Sequence, residues 1–371
     1  MTYNKYYKSR RKTPWDFKDE LTPVEDFIRS NYLDAFKQHH KKLSDTNEAV
    51  LLNAYNPTTC PYCGSTSFKK NGIYKTNLQK YQCKQCKKNF NILTGTLFED
   101  HKIPITEWIE YILETLSYES NSSISMNGRN SESTTPYWMH KLFLALEGYQ
   151  ENIVLRGNVQ IDETFYTVIT KDIILKENGK KPRGISRNKY IIGIGVDDQG
   201  HKYLKLEGKG KPTIRGTEQT FINHIEPSSH LIHDKEHSHS VLIKKLNLTD
   251  EAYDSKSLKE LDDKDNPLYE VNHMCLLLKK FLQAHSGFDR KDIQGYLDLF
   301  SLIMNEPSNK LEKVKIILDR VISNPKSLRY REYYSKKMIN KPFLFFIQHT
   351  SARDDFIIKR NRKHFIKYMS Y

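Results

Sequence analysis

The chain has 371 residues, of which 37% are hydrophobic and 28% are charged, and its formal net charge at pH 7 is +14. This length allows two or three domains with buried cores, and the composition excludes an intrinsically disordered protein. No apolar run approaches the ~18 residues that cross a bilayer, and no apolar segment follows the basic N-terminus as in a secretory signal. We therefore expect a cytoplasmic protein that has no membrane partner.

The first 150 residues divide into three predicted segments. Residues 1–54 are predicted to form a helical adaptor, because apolar residues recur at helical spacing between positions 23 and 42. Residues 55–98 are rich in turn formers and contain four of the five cysteines. In residues 99–150 two apolar helices are predicted, Pro104–Glu119 and Tyr137–Gly148, with a polar stretch between them.

The four cysteines of residues 55–98 form two CxxC pairs that are separated by nineteen residues: Cys60 with Cys63, and Cys83 with Cys86. Two such pairs deliver four thiolates to one tetrahedral Zn²⁺, whereas a redox motif needs only one pair. Disulfides are the alternative, but they are uncommon in a cytosolic protein. We expect a structural zinc that replaces the core which so short a segment cannot build. The surrounding lysines favour a surface that faces DNA: Lys69, Lys70, Lys80, Lys84, Lys87 and Lys88.

Between residues 156 and 305 the pattern changes to short β-rich runs followed by helices, which predicts a mixed α/β domain. The predicted strands are Val159–Val168, Tyr190–Val196, Tyr203–Leu206 and His230–His233. One helix is predicted between the third and fourth strands, at Thr217–Glu226, and helical patterns dominate after the fourth strand.

Two acidic residues interrupt these apolar strands. Asp162 lies within the first strand and Asp234 directly follows the fourth. A carboxylate at a buried strand is costly unless it is paired, and a divalent cation is a natural partner. The alternative is that either residue ends its strand as a turn or cap residue. Glu163 is the weaker ligand candidate, because alternation along a strand points it to the opposite face from Asp162.

A late helix is predicted at Asn272–Ala284. Lys279 lies two turns after Asn272, so both residues share one face of the helix. This arrangement could place a neutral oxygen ligand near a metal and a cation near a DNA phosphate. The alternative is an N-cap asparagine with a surface lysine. Cys275, alone in the apolar part of the helix, is expected to be a buried thiol.

The C-terminal extension, residues 306–371, is basic and rich in aromatic residues. From Asn309 to Tyr371 it contains 16 lysines and arginines against 5 acidic residues. Such a surface suits a polyanion, because Lys and Arg neutralise phosphates and release condensed counterions. The alternative is a solvated basic face without a partner.

The run from Cys60 to Gly148 resembles the N-terminal part of bacterial insertion-sequence transposases of the ISXO-like group. The similar motifs are, in chain order, CPYCGS, YQCKQCKKNF, TGTLFED, IPITEWI and YWMHKLFLAL. Farther along, VQIDETF and RNKYIIGIGVDDQG resemble the first two strands of the family's catalytic domain. LIHDKEHSHS is similar to the segment of the second acid, and NHMCLLLKKFL to the helix with the third metal ligand. The resemblance covers roughly residues 55–305.

The resemblance implies an α/β protein with a ribonuclease-H-like catalytic domain at 156–305. A four-cysteine zinc ribbon at 55–98 and a helix-turn-helix at 99–150 precede this domain, and the basic extension follows it. The implied catalytic set is of the D-D-E or D-D-N type with a lysine, and the first three of its members bind Mg²⁺ or Mn²⁺. Its positions in this chain are Asp162, Asp234, Asn272 and Lys279.

The activity that the resemblance implies is that of a DNA transposase, which cuts the ends of an insertion sequence and joins them to target DNA. The implied partners are double-stranded DNA, as terminal repeats and as target, and further copies of the chain in a dimer or higher oligomer. The implied location is the bacterial cytoplasm, at the nucleoid.

The late helix departs from the family pattern, because His273 stands where a glycine is frequent. His273 and Glu270 therefore remain alternatives to Asn272 as the third ligand. The segment after the second acid departs as well, since His237 and His239 stand where an aromatic residue is expected. Two further functions stay open. One is an inactive or domesticated transposase that acts as a zinc-ribbon DNA-binding regulator, and the other is a nuclease or resolvase that cuts without joining.

Overall fold

The computed structural model describes residues 45–339, with gaps at 102, 104, 128–132, 170–171, 259–260 and 325. The helix predicted between positions 23 and 42 and the part of the basic extension after residue 339 lie outside these residues. The chain divides into two compact units, 1–327 and 328–371. In the second unit the described residues contain one helix, α11, at Tyr330–Ile339.

The cysteine-containing segment folds into a small antiparallel sheet with the order β1-β2-β3. Its strands are β1 (Phe68–Ile73), β2 (Gln79–Cys83) and β3 (Asn89–Phe90). The rings of Phe68, Tyr81 and Phe90 pack against one another, with centroids 5.5–5.7 Å apart. Three rings beside the cysteines are a very small core, so apolar burial alone gives this segment little stability.

Four helices flank this sheet in the chain: α1 (Asp45–Asn53), α2 (Ile105–Thr115), α3 (Asn121–Asn127) and α4 (Thr134–Leu146). Glu48 joins the first two, because its carboxylate accepts the N–H of Ile105 at 3.1 Å and pairs with His101 Nε2 at 2.6 Å. Both helices predicted here are present with shifted ends. The first ends at Thr115, before Tyr118, whose φ of 67° is incompatible with a continued helix.

The second sheet has five strands in the order β6-β5-β4-β7-β8. They are β4 (Asn158–Thr167), β5 (Lys189–Asp197), β6 (Lys202–Lys209), β7 (His230–Asp234) and β8 (Thr249–Tyr253). The first three form an antiparallel meander, and β7 and β8 continue the sheet parallel to β4. This is the ribonuclease-H-like arrangement, and it confirms the predicted fold class. β8, whose residues are almost all exposed, was not predicted.

Helices cover both faces of this sheet. On one face α5 (Ile214–Phe221) and α6 (Ser240–Leu246) pack against Val159 and Ile161 of β4. The next position on β4, Gln160, faces the other way and accepts the N–H of Val271 at 3.0 Å. That N–H belongs to α8 (Tyr269–Ala284), which shares this second face with α9 (Ile293–Met304). The short helix α7, at Ser255–Leu258, precedes α8.

The first part of the predicted basic extension folds onto the helices. α10 (Lys310–Ser323) packs against α2 and α4. The buried Lys313 ammonium donates to the carbonyls of residues 302, 303 and 305 at 2.5–2.8 Å, where α9 ends. Arg320 donates to the carbonyls of Ala145 and Glu147 at the end of α4. These cations occupy helix C-termini and satisfy free carbonyls there. Among the described residues no helix is both long and apolar enough to span a bilayer.

Candidate metal centres and catalytic site

The four cysteine sulfurs of the small sheet converge. Cys60 Sγ lies 3.7 Å from Cys86 Sγ, and Cys63 Sγ lies 3.6 Å from Cys83 Sγ. Thiolates bound about 2.3 Å from one tetrahedral zinc are separated by about 3.8 Å, so the set fits this ion. All four thiols are free, and their separations far exceed the ~2.05 Å of a disulfide bond. The disulfide alternative is therefore wrong for this segment.

Matching turns build the two halves of this site. The N–H of Gly64 donates to the Cys60 carbonyl at 2.9 Å, and the N–H of Lys87 donates to the Cys83 carbonyl at 3.1 Å. Both turn residues have positive φ, 73° for Gly64 and 62° for Lys87. Glycine adopts this backbone without strain, as expected after the first CxxC pair. The N–H of Cys86 donates to Cys83 Sγ and lowers the pKa of that thiol to about 6, which favours the metal-binding thiolate.

The two predicted acids lie side by side on the second sheet. β4 and β7 are parallel, and their last paired residues are Ile161 and His233. The next residues along the strands, Asp162 and Asp234, therefore occupy adjacent positions on the same face, which is the face covered by α8. Neighbouring strands are about 4.8 Å apart, so the two carboxylates can share a cation.

Electrostatics make this pair costly in the absence of a cation. Burial, together with the charges of Glu163 and Asp234, raises the pKa of Asp162 to about 7. Asp162 Oδ1 accepts one backbone N–H, from Glu163 at 2.8 Å. Asp234 Oδ1 accepts the N–H of Glu236 at 3.2 Å. Asp234 thus also accepts a hydrogen bond in the turn that ends its strand, which is the alternative role considered for it in the sequence analysis.

The other two predicted residues, Asn272 and Lys279, lie on helix α8, which packs over Asp162. Cys275 is buried, and its thiol lies 3.9 Å from Asp162 Oδ2. Asn272 and Lys279, both exposed, lie three residues before and four residues after it. All three residues fall on one stripe of the helix, which passes over Asp162. Burial, followed by the charge of Asp162, raises the pKa of the Cys275 thiol, so this cysteine is an inert neighbour and not a nucleophile.

The geometry of α8 bears on the alternatives for the third ligand. His273 is stacked on Tyr269, with ring centroids 5.7 Å apart, and at 100° per residue it lies far around the helix from Cys275. Glu270 is exposed and lies about as far around on the other side. The N-cap alternative for Asn272 is wrong, because the helix begins three residues earlier, at Tyr269. Asn272 is the candidate that shares a face with Cys275.

On the opposite face of the sheet lies a buried polar cluster that the sequence analysis did not identify. Glu163 points there, as the alternation predicts, and its carboxylate lies 3.0 Å from His239 Nε2. Burial lowers the pKa of His239, but the hydrogen bond with Glu163 and the nearby acids raise it overall. Glu207 on β6 lies near this pair, and burial raises its pKa to about 8. His239 belongs to a short 3₁₀ turn, His237–His239, that follows β7.

Comparison with known proteins relates the chain to mobile DNA elements. No family model matches the chain. The "Insertion element ISM1 uncharacterized 48.3 kDa protein" of Methanobrevibacter smithii is 30% identical over 208 residues, 50% of this chain and 49% of the relative. The "Uncharacterized protein in transposable element ISH50" of Halobacterium salinarum is 29% identical over 136 residues, 35% of this chain and 44% of the relative. The chain thus spans about half the length of the curated relatives that it matches.

Among solved structures, the catalytic domain of Mos1 mariner transposase aligns with 52% of this chain and 95% of its own length, at 16% identity and a TM-score of 0.24. A chain of the simian T-cell lymphotropic virus intasome aligns with 52% of this chain and 65% of its own length, at 13% identity and a TM-score of 0.27. TM-scores this low carry no argument, so the fold assignment rests on the strand order described above. Fold and site define a ribonuclease-H-like protein with two adjacent acids. Its curated relatives are proteins of insertion elements.

Proposed function

We propose that the chain is a DNA transposase that cuts the ends of an insertion sequence and joins them to target DNA. The observation that carries the proposal is the convergence of Asp162 and Asp234 beneath the Asn272–Lys279 stripe of α8. A DNA-binding protein without catalytic activity has no need of two adjacent carboxylates of which one is desolvated. The insertion-element relatives support the same activity.

The proposed catalytic residues are Asp162, Asp234 and Asn272, whose carboxylate and amide oxygens are the ligands that Mg²⁺ and Mn²⁺ prefer. A pair of such cations supplies charge neutralisation at the scissile phosphate and lowers the pKa of the attacking oxygen. Because Asn272 is neutral, the site has one negative charge fewer than a set of three acids, and we expect weaker cation binding. Lys279, at the exposed end of the stripe, contacts a backbone phosphate of the DNA.

Two in-line displacements make up the proposed reaction. Water attacks phosphorus at the element end, and the departing oxygen becomes a free 3′-hydroxyl. That hydroxyl then attacks a phosphodiester of the target, forming one P–O bond as another breaks. No protein nucleophile is required, because the site contributes by positioning and by stabilising charge.

DNA binding is assigned to the segments before the catalytic domain and to the basic C-terminus. The zinc ribbon exposes Lys69, Lys70, Lys84, Lys87 and Lys88. These ammonium groups suit phosphate contacts, which give affinity without sequence specificity. We assign the helices α2–α4 and the residues beyond 327 to the same partner, the terminal repeats. Pairing of two element ends makes a homodimer or higher oligomer the expected active form.

The test is strand transfer of a pre-cut element end into plasmid DNA with Mg²⁺ or Mn²⁺. We expect Asp162→Asn and Asp234→Asn to reduce joining by roughly a thousandfold or more while DNA binding is retained. Asn272→Ala is expected to reduce joining as well. Glu270→Ala and His273→Ala are the matched controls on the same helix, and both should keep wild-type activity.

Three outcomes contradict parts of this proposal. Activity loss in Glu270→Ala or His273→Ala, with Asn272→Ala active, would reassign the third ligand. A wild-type chain that binds element ends but neither cuts nor joins them would be a DNA-binding regulator derived from a transposase. The neutral Asn272 is the feature that favours this second function. Cutting without joining would identify a nuclease or resolvase.

A further inference from the structure

Two buried histidines face each other behind the catalytic pair. His233, at the end of β7, is 4% exposed, and His239, in the 3₁₀ turn after it, is fully buried. Their Nδ1 atoms are 3.0 Å apart, with the rings nearly perpendicular at 71°. Two imidazole nitrogens this close together either form a hydrogen bond with each other or bind one metal ion.

A carboxylate lies near the Nε2 atom of each imidazole. His239 Nε2 lies 3.0 Å from Glu163 Oε1, and His233 Nε2 lies 3.5 Å from Asp250 Oδ2. Histidines that bind metal through one ring nitrogen commonly donate the other N–H to a carboxylate, which fixes the tautomer and strengthens the ligand. His239 has this arrangement. His233 Nε2 makes no hydrogen bond, and the Asp250 carboxylate lies near it at ion-pair distance. Binding of an ion through Nδ1 would leave the Nε2–H of His233 facing Asp250.

Asp234 supplies an oxygen on the third side. Its Oδ1 lies 3.8 Å from His239 Nδ1, and one ligand atom from each of His233, Asp234 and His239 lies within 4.8 Å of the others. Ligands bound about 2.0–2.1 Å from a tetrahedral ion are separated by about 3.3 Å, between the two measured distances. The Asp234 side chain is 29% exposed, which gives an ion access to the otherwise buried group.

We propose that His233, His239 and Asp234 form a zinc site that is distinct from the cysteine site and shares Asp234 with the proposed Mg²⁺ site. Two imidazole nitrogens and one carboxylate oxygen are a ligand set that Zn²⁺ favours, and three protein ligands leave a fourth position for water. The inference goes beyond the proposed function and does not depend on it. Asp234 belongs to both sites, so this zinc would hold the second catalytic acid in place from the rear of the sheet.

The experiment measures zinc per chain by plasma mass spectrometry on the purified full chain after gel filtration with and without added Zn²⁺. We expect two equivalents in the wild-type chain. Cys83→Ser/Cys86→Ser should retain one equivalent, and His233→Gln/His239→Gln should also retain one. His237→Gln is the matched control, because this neighbouring histidine is exposed, and it should retain both.

A single equivalent in the wild-type chain that disappears completely in the cysteine variant would overturn the proposal. The histidines would then form a hydrogen-bonded pair that is anchored by Glu163. The wild-type and cysteine-variant counts decide this even if the histidine variant fails to fold. Cobalt substitution gives an independent measurement. The cysteine variant, which retains Cys60 and Cys63, should show weaker thiolate charge transfer but keep the ligand-field bands of the histidine site. Loss of those bands in the cysteine variant would also count against the site. Neither measurement involves DNA, so the result is separate from the transposase test.

Discussion

The cysteine site and the carboxylate site bring their residues together in different ways. The four cysteines lie between positions 60 and 86, and each pair is shaped by a single tight turn within its own loop. The proposed ligands of the carboxylate site extend from position 162 to 272. Asp162 and Asp234 become neighbours only because β4 and β7 pair in one register, and α8 passes close to Asp162 at Cys275. Local backbone geometry is sufficient for the first site, whereas the second requires the whole sheet.

The two sites also differ in what they contribute to stability. In the ribbon the ligands are part of the core, since Cys60 and Cys83 are buried against Tyr81 and Phe90. In the α/β domain an apolar core on one face of the sheet supports the fold, and the desolvated Asp162 on the other face is a cost to it. Metal binding should therefore be coupled to folding in the ribbon, and mainly to chemistry in the sheet.

The largest expected effect is on the ribbon. Cys83→Ser/Cys86→Ser removes half of the ligand set, and structural zinc contributes about 10 kcal/mol or more to the folding of such domains. We expect hydrogen exchange to show that β1, β2 and β3 lose their protection while β4 and β5 keep theirs. Cys275→Ala is the control and should leave the ribbon protected. Unchanged protection in the double variant would mean that the ribbon folds without metal.

An acid-dependent effect is expected for the α/β domain and not for the ribbon. His285, at the end of α8, is buried between Phe281 and Tyr296, and burial lowers its pKa from 6.5 to about 4. Between these pH values the unfolded chain takes up a proton and the folded chain does not. Stability is therefore lost as pH falls from 6.5 to 4, by on the order of 3 kcal/mol. Urea unfolding across this range should show a weaker pH dependence for His285→Phe.

The exposed His237 provides the control for this measurement. His237→Gln should reproduce the wild-type pH dependence of unfolding. The ribbon, residues 60–90, contains no histidine, so its transition should be the same in His285→Phe and in the wild type. A His285→Phe curve that parallels the wild type would show that the ring is solvated in the folded protein.

The smallest expected effect is a gain in stability, whereas the cysteine substitutions are expected to destabilise the ribbon. Asp162→Asn removes a desolvated carboxyl whose charge is repelled by those of Glu163 and Asp234, and it keeps an oxygen that can accept the Glu163 N–H. Without Mg²⁺ or Mn²⁺ we expect the variant to be more stable by about 1–2 kcal/mol, because catalytic groups are commonly retained at a cost in stability. Thermal unfolding measures this. Asp172→Asn, at an exposed position, should change stability by less than ~0.5 kcal/mol. A destabilised Asp162→Asn would indicate that this carboxyl is a structural group.

The sequence by itself determined those features that depend on neighbouring residues. The spacing of the cysteines predicted their convergence, and apolar runs predicted four strands of the second sheet and the helices around them. It did not predict β8, because an exposed edge strand such as TDEAY lacks the apolar alternation of a half-buried strand. It placed the start of α8 three residues late, because no capping side chain marks Tyr269.

Only the tertiary structure decided what depends on pairing between distant segments. Asp162 and Asp234 were candidates from their apolar surroundings, but their adjacency follows from the register of β4 and β7, which no local pattern encodes. The same register brings His233 behind the pair, and the turn after β7 returns His239 to it. From the sequence, Lys313 and Arg320 were assigned to a basic surface. In the structure their side chains donate to carbonyl groups at helix C-termini. Composition records a charge, whereas its role depends on which atoms the folded chain brings within hydrogen-bonding distance.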